Sequence, residues 1–205
     1  MTTCILSTAY LAPVQYYCKL YRYDTVQIEA LESYPKQTYR NRCVIAGANG
    51  PLTLSIPVEK PLPGAPTCDI RISEHGNWRH LHWNALCSAY NGSPFFEYYA
   101  DDFFPFYKNR YDYLLDYNEA LCRLICELLD LSPSIRRTTV YQSSPPNDFR
   151  EIIHPRHEHP DDSFRPQPYY QVFSSRHGFI PNLSIVDLLF NLGPEGLVVL
   201  HDSSC

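Results

Sequence analysis

The sequence predicts an α/β fold: a small, largely parallel or mixed sheet with an N-terminal βαβ unit and a β-hairpin, then a helical second half. Three patterns carry that reading. Two short apolar runs near the N-terminus flank a helical stripe, the arrangement of a parallel β–α–β unit. Two further strand-like runs are separated by Gly47-Ala48-Asn49-Gly50-Pro51, a turn-forming cluster that predicts the hairpin. Leu121, Leu124, Ile125 and Leu128 fall at i, i+3, i+4 and i+7, one face of a helix.

The elements follow in order. Residues 4–11 form an apolar run without a helical stripe and read as a buried strand. Pro13 has the fixed φ that opens a helix, and Val14, Tyr17, Cys18 and Tyr21 mark one face of it. Residues 25–28, 37–45 and 52–58 read as strands, being rich in β-branched and aromatic side chains. Three prolines and a glycine make 60–66 a loop, and 69–72 reads as a short strand. A helix over 77–90 places Trp78, Leu81, Ala85 and Ala89 on one side, and another begins in 95–99. The helix over 118–131 ends at Ser132-Pro133, since the residue before a proline avoids the helical region. Residues 136–141 alternate like a strand. Residues 143–168 are polar and proline-rich and read as a long surface loop. The helix over 182–192 is expected to be capped by Ser184, with Asp187 completing a variant capping box, and to stop at Gly193-Pro194. One domain over 1–205 is expected, with an α/β part over about 1–75 and a helical part over about 76–205.

Composition narrows the function classes. A formal net charge of -5 argues against a general nucleic-acid binder, which needs a basic surface. Hydrophobic residues at 44% against 19% charged ones predict a folded chain. No apolar run approaches the roughly 20 residues of a membrane span, and the first residues lack a secretory pattern. The eight cysteines contain no Cys-x-x-Cys pair and read as reduced, buried thiols. The expectation is a cytoplasmic protein without membrane insertion. Thirteen arginines against four lysines, with 17 tyrosines, fit a polar recognition site or a lineage bias in composition.

The leading ligand signal is Lys36, Arg40 and Arg42. On one strand over 36–45 they share a face with Thr38. Arginines two apart lie about 6.5–7 Å from each other, and guanidinium forks bind phosphate or carboxylate. The plainer reading is a solvated strand face, or salt bridges to Glu29 and Glu32. The N-terminus of the first helix, at the carboxyl edge of a parallel sheet, favours anions, and Gln15 is near it. Tyr169 and Gln171 could stack against and bond a sugar or base, or simply form a short strand. Glycine-rich phosphate loops are absent. The run from His154 to Asp162 is rich in possible ligands yet fits no metal template, so no metal or cofactor is expected. Cys122 and Cys126 share a helix face without a base at a recognisable spacing, which argues against a cysteine nucleophile. His82, four residues after Trp78, reads as a histidine at the core's edge.

Asn41-Arg42, the Gly50 turn and the run Leu52-Thr53-Leu54-Ser55-Ile56-Pro57-Val58 resemble the WbqC-like family. So does the closing segment: Tyr169-x-Gln171, then Phe179-x-Pro181-x-Leu183-Ser184-Ile185-Val186-Asp187-Leu188-Leu189-Phe190-Asn191-x-Gly193-Pro194. Lys19, Asp24, Lys36 and Trp78 fit the same pattern. The resemblance implies surface-polysaccharide (O-antigen-type) biosynthesis, with no assigned chemistry. Where the family usually opens with His-Gln-Pro before Pro-Trp, this chain has Ser7-Thr8-Ala9 before Pro13-Val14, so no histidine base can act from position 7. The stretch 150–168 also looks shorter than its usual counterpart. The expected protein binds a nucleotide-sugar or similar phosphorylated ligand and acts on it as a transferase or accessory factor. Lys36, Arg40 and Arg42 would neutralise phosphate and Gln15, Tyr169 and Gln171 would orient the polar part; Asn41 is expected among the binding residues too, although its place on the opposite strand face also suits a structural role. The alternative is a non-catalytic interaction protein with a flat, tyrosine-rich surface.

Overall fold

The computed structural model describes residues 2–156 and 159–205. Strand β1 (Thr3–Ser7), helix α1 (Val14–Arg22) and strand β2 (Thr25–Glu29) form the β–α–β unit. β1 pairs parallel with β2 from Thr3↔Thr25 to Ser7↔Glu29. A third strand, β5 (Ser134–Arg137), arrives from far along the chain and pairs parallel with β2, Ile28 opposite Arg137. Ser7, Glu29 and Arg137 therefore close one edge, the carboxyl edge. The first strand stops short of the expected Leu11 because the chain turns across this edge. Tyr10 N donates to Tyr39 O, and Leu11 takes the left-handed φ of 39° before Pro13 opens α1.

Strands β3 (Arg42–Gly47) and β4 (Gly50–Ser55) form the antiparallel hairpin. Ala48-Asn49 is its two-residue turn, and Gly50 has a φ of 110° that side chains rarely adopt. The strand expected over 36–45 begins only at Arg42. Gln37 sits at a φ of 66°, which breaks the extended backbone and with it the two-residue alternation. Lys36, Thr38, Arg40 and Arg42 consequently do not share a strand face: Lys36 is exposed, while Thr38 and Arg40 are buried. Residues 69–72 form no regular strand either. A short 3-10 turn, Thr67–Asp69, is followed by single bridges from Arg71 and Ile72.

The remaining elements are α2 (Trp78–Tyr90), α3 (Phe96–Lys108), α4 (Leu114–Leu128), the one-turn α5 (Ser174–His177), α6 (Ile185–Leu192) and α7 (Gly196–Ser203). The inner face of α2 runs through Trp78, His82, Leu86 and Ala89, whereas Leu81 is 58% exposed. His82 can take this inner position because Nδ1 meets Tyr10 Oη at 3.0 Å, and Tyr10 Oη meets Tyr107 Oη at 3.0 Å. Ser184 does not cap α6. Its hydroxyl donates to Leu11 O instead, tying the end of the chain to the β1–α1 turn.

Helix α1 is buried almost all round, from Val14 to Leu20. It packs against α6 and α7, and residues 161–163 cover Lys19. Lys19 is 0% exposed. Its ammonium meets Asp161 Oδ2 at 2.7 Å and Ser163 Oγ at 2.7 Å, and lies over the Phe149 ring. Burial raises the Asp161 carboxyl, but hydrogen bonds from Lys19, Gln15 and Ser163 outweigh it and hold the group below the usual range. The expected surface loop is therefore fastened down. Asn147 and Phe149 exchange backbone hydrogen bonds with Ile5, and Phe149, Arg150 and Ile153 are buried.

Two outcomes are expected in urea unfolding. Burial lowers the His82 pKa to about 4, below the roughly 6.5 of a free imidazole. A lowered pKa gives stability that is complete above pH ~6.5 and lost as pH falls towards 4, about 3 kcal/mol at most. The stability gap between His82→Gln and wild type should therefore narrow at low pH. Lys19→Met leaves Asp161 buried without its cation and should destabilise by about 3–5 kcal/mol at pH 7.

Candidate functional site

The carboxyl edge gathers the most concentrated set of buried charges. Arg40 donates from Nε to Glu32 Oε1 at 2.9 Å and from Nη2 to Ser7 Oγ at 2.6 Å. Glu29, wholly buried at the end of β2, accepts at Oε1 from Thr138 Oγ1 (2.8 Å) and Leu31 N (2.8 Å). Its Oε2 faces Arg150 Nη1 at 3.5 Å. Arg150 donates the rest of its fork to Asp148 and to Gln142 O. Burial pushes the Glu32 carboxyl up, against the pull of Arg40. Three carboxylates face two guanidiniums here, so the cluster is compensated from within and holds no surplus positive charge.

Two openings flank the segment after β1. Thr8, Ala9 and Tyr16 line both. The smaller is a crevice of about 10 Å³ that reaches Ser7, Arg40 and Arg150. The larger is a cleft of about 310 Å³ between β5 and α4. Arg123, Arg136 and Arg137 line it against a single carboxylate, Glu119. Arg137 is spent on Glu119 and Asp116, and Arg123 reaches Glu119 at 3.6 Å. Arg136 is exposed and forms no ion pair among the described residues. Asn118, 1% exposed, also lines the cleft. Its Nδ2 donates to Thr8 Oγ1 and Arg40 O, while its Oδ1 is a buried acceptor without a partner. Cys122 lies in the same wall.

The residues read from the sequence disperse. Of that set, Arg40 alone borders the crevice. Lys36 is exposed on the preceding loop. Arg42 opens β3 with its Nε buried and unpartnered, and Asn41 Nδ2 donates to Ile56 O. Gln15 pairs with Asn182 and Asp161 beside the Lys19 ion pair. Tyr169 and Gln171 both donate to Asp187 Oδ2, at 2.8 and 2.9 Å, and Tyr90 donates to Oδ1 at 2.9 Å. Asp187 is fully buried and forms no ion pair among the described residues, and burial raises its pKa despite these three donors. This network joins α2, α6 and the segment before α5. Residues 157 and 158 of the histidine-rich run lie outside the described residues, and no group of three metal-ligating side chains forms among the described ones. The most exposed tyrosines, Tyr98, Tyr141 and Tyr170, sit on separate parts of the chain.

Asn118, Thr138, Asp148 and Arg150 gave no sequence signal, and Glu29 stood out only as a candidate salt-bridge partner of the arginines. Asp148 and Arg150 share one segment and the others come from distant ones, and only the fold brings them together.

A mixed α/β protein with a cleft at the carboxyl edge of its parallel strands belongs to a class that places ligands at that edge. A family model describes residues 8–154, and the chain belongs to the WbqC-like protein family. The match stops before the closing segment 169–194, where the resemblance in sequence was most specific. No curated protein and no solved structure matches the chain.

Stability measurements can test the edge cluster. Glu32→Gln leaves Arg40 buried without its countercharge and should cost about 3–5 kcal/mol. Arg40→Met/Glu32→Leu removes both charges and should recover most of that loss. Equal losses in the two variants would contradict a pair held mainly by mutual compensation.

Proposed function

We propose that the carboxyl-edge cleft binds a phosphorylated sugar ligand of the nucleotide-sugar class, and that the protein serves surface-polysaccharide biosynthesis. The observation that carries this reading is the cleft itself: three arginines against one carboxylate, with the unpartnered Asn118 Oδ1 in its wall. Guanidinium groups suit the phosphates. A sugar hydroxyl would satisfy Asn118 Oδ1, because a buried acceptor without a partner is costly. Membership of the WbqC-like family supports the polysaccharide context.

In a transferase role the arginines would stabilise charge developing on the phosphate, so the main catalytic device is electrostatic. Arg40, set by Glu32 and Ser7, would be a positioning residue that shapes the floor through Asn118. Lys36 and Arg42 would then act on the approach to the site. Gln15, Tyr169 and Gln171 orient neighbouring structure through the bonds described above. Ser7, where the family usually has histidine, serves here as a hydrogen-bond acceptor for Arg40.

Thermal unfolding with UDP-glucose and with inorganic phosphate tests the reading. Saturating ligand should raise the melting temperature of wild type, with about 2.7 kcal/mol of stabilisation at a hundredfold excess over Kd. Arg123→Ala/Arg136→Ala, at exposed positions, should fold normally and lose the shift. An absent shift in wild type, or an equal one in the variant, would overturn it.

A further inference from the structure

A second concavity, of about 530 Å³, lies between α2 and α3 and shares no lining residue with the carboxyl-edge cleft. Both tryptophans of the chain, Trp78 and Trp83, line it. Trp83 packs at 5.3 Å from Phe104, which is itself partly exposed, so together they offer an aromatic wall. Trp78 is 4% exposed, and its indole N–H is buried without an acceptor. A buried indole N–H ordinarily finds a partner.

The charge is equally one-sided. Arg79, Lys108 and Arg110 line the cleft against one carboxylate, Glu74. Glu74 is taken up by Arg79, which donates to both its oxygens, and by Arg110 at 3.4 Å. Lys108 is exposed and forms no ion pair among the described residues. Asn77, in the left-handed region at the start of α2, also lines the opening and makes no side-chain cap, so the first turn of α2 faces an uncapped end. Uncapped helical N–H groups favour negative charge.

We propose that this cleft is a binding site for an acidic saccharide. The pyranose ring stacks on Trp83 and Phe104. Its carboxylate or phosphate meets Lys108 and Arg110 at the rim. Aromatic rings present broad apolar faces with a negative quadrupole, which suit the C–H face of a sugar. The cations supply the acid's countercharge. The site is separate from the carboxyl-edge cleft and does not depend on what that cleft binds.

Because both tryptophans line this cleft, intrinsic tryptophan fluorescence reports on it directly. Full-length protein is titrated with galacturonic acid, glucose 1-phosphate and glucose at matched ionic strength. At least one of the two acids should change the emission saturably, and glucose over the same range should not. The acid that does so identifies the anion. Lys108→Ala/Arg110→Ala, at exposed positions, should weaken that acid about tenfold or more, or about 1.4 kcal/mol, while retaining the wild-type melting temperature. Arg123→Ala/Arg136→Ala should bind as wild type does, whatever its response to UDP-glucose. The proposal is overturned by no saturable change with either acid, by glucose binding as tightly as the acids, by unchanged affinity in Lys108→Ala/Arg110→Ala, or by loss of the signal in Arg123→Ala/Arg136→Ala.

Discussion

Three cations with almost no access to water govern how this chain is arranged. Lys19, Arg40 and Arg150 are each buried, and a buried charge is tolerable only when paired and hydrogen-bonded. The carboxylates that compensate them come largely from irregular segments: Glu32 after β2, Asp148 before the Phe149 turn, and Asp161 near the end of the long connection. Segments that a sheet ladder does not hold are thus held by ion pairs. This explains how three strands and several short helices enclose α1 without a larger sheet.

The same constraint decides where positive potential remains. Arg40 and Arg150 stand at the edge where a parallel sheet offers a ligand its place, yet Glu29, Glu32 and Asp148 already occupy them. Charge left for a ligand is displaced sideways, to Arg123 and Arg136 on α4 and β5. The edge thus has an internally neutralised floor and a wall of exposed guanidinium groups, of which Arg136 forms no ion pair among the described residues. A fixed floor beneath adjustable cations suits recognition of a charged group better than a mobile basic loop would, because less side-chain freedom is lost when the ligand binds.

Much of the architecture was legible because it is written locally. The two apolar runs around α1, the Ala48-Asn49 turn and the leucine stripe of α4 each announce themselves within a dozen residues. The site was not. The alternation from Lys36 to Arg42 is genuine in the sequence, but the left-handed Gln37 and the Glu32 partner turn Arg40 inward. Asp187 looked like a helix cap and is instead the acceptor at the centre of a buried network, since Tyr90, ninety-seven positions away, supplies one of its donors. Leu81, expected on the inner face of α2, points outward, while His82, expected at the core's edge, is buried with a hydrogen bond to Tyr10. Contacts made only in the folded chain, near in sequence for Glu32 and far for Tyr90, overrode the local pattern. The closing helix α7 was missed for a different reason: its apolar residues, Leu197 to Leu200, run consecutively and mark no helical face.

The stitching of Ala12, Val14 and Gln15 to residues 182–185 sets an order of events during synthesis. Val14 N bonds Leu183 O, Ile185 N bonds Ala12 O, and Gln15 N bonds Asn182 Oδ1. A ribosome must deliver some 160 further residues after the end of α1 before those partners exist. Until then the nascent β–α–β unit keeps apolar surface and the Lys19 ammonium open to solvent. Pairings between such distant segments slow folding and prolong the exposure of apolar surface on the emerging chain. The first helix made is therefore among the last parts of the molecule to become native.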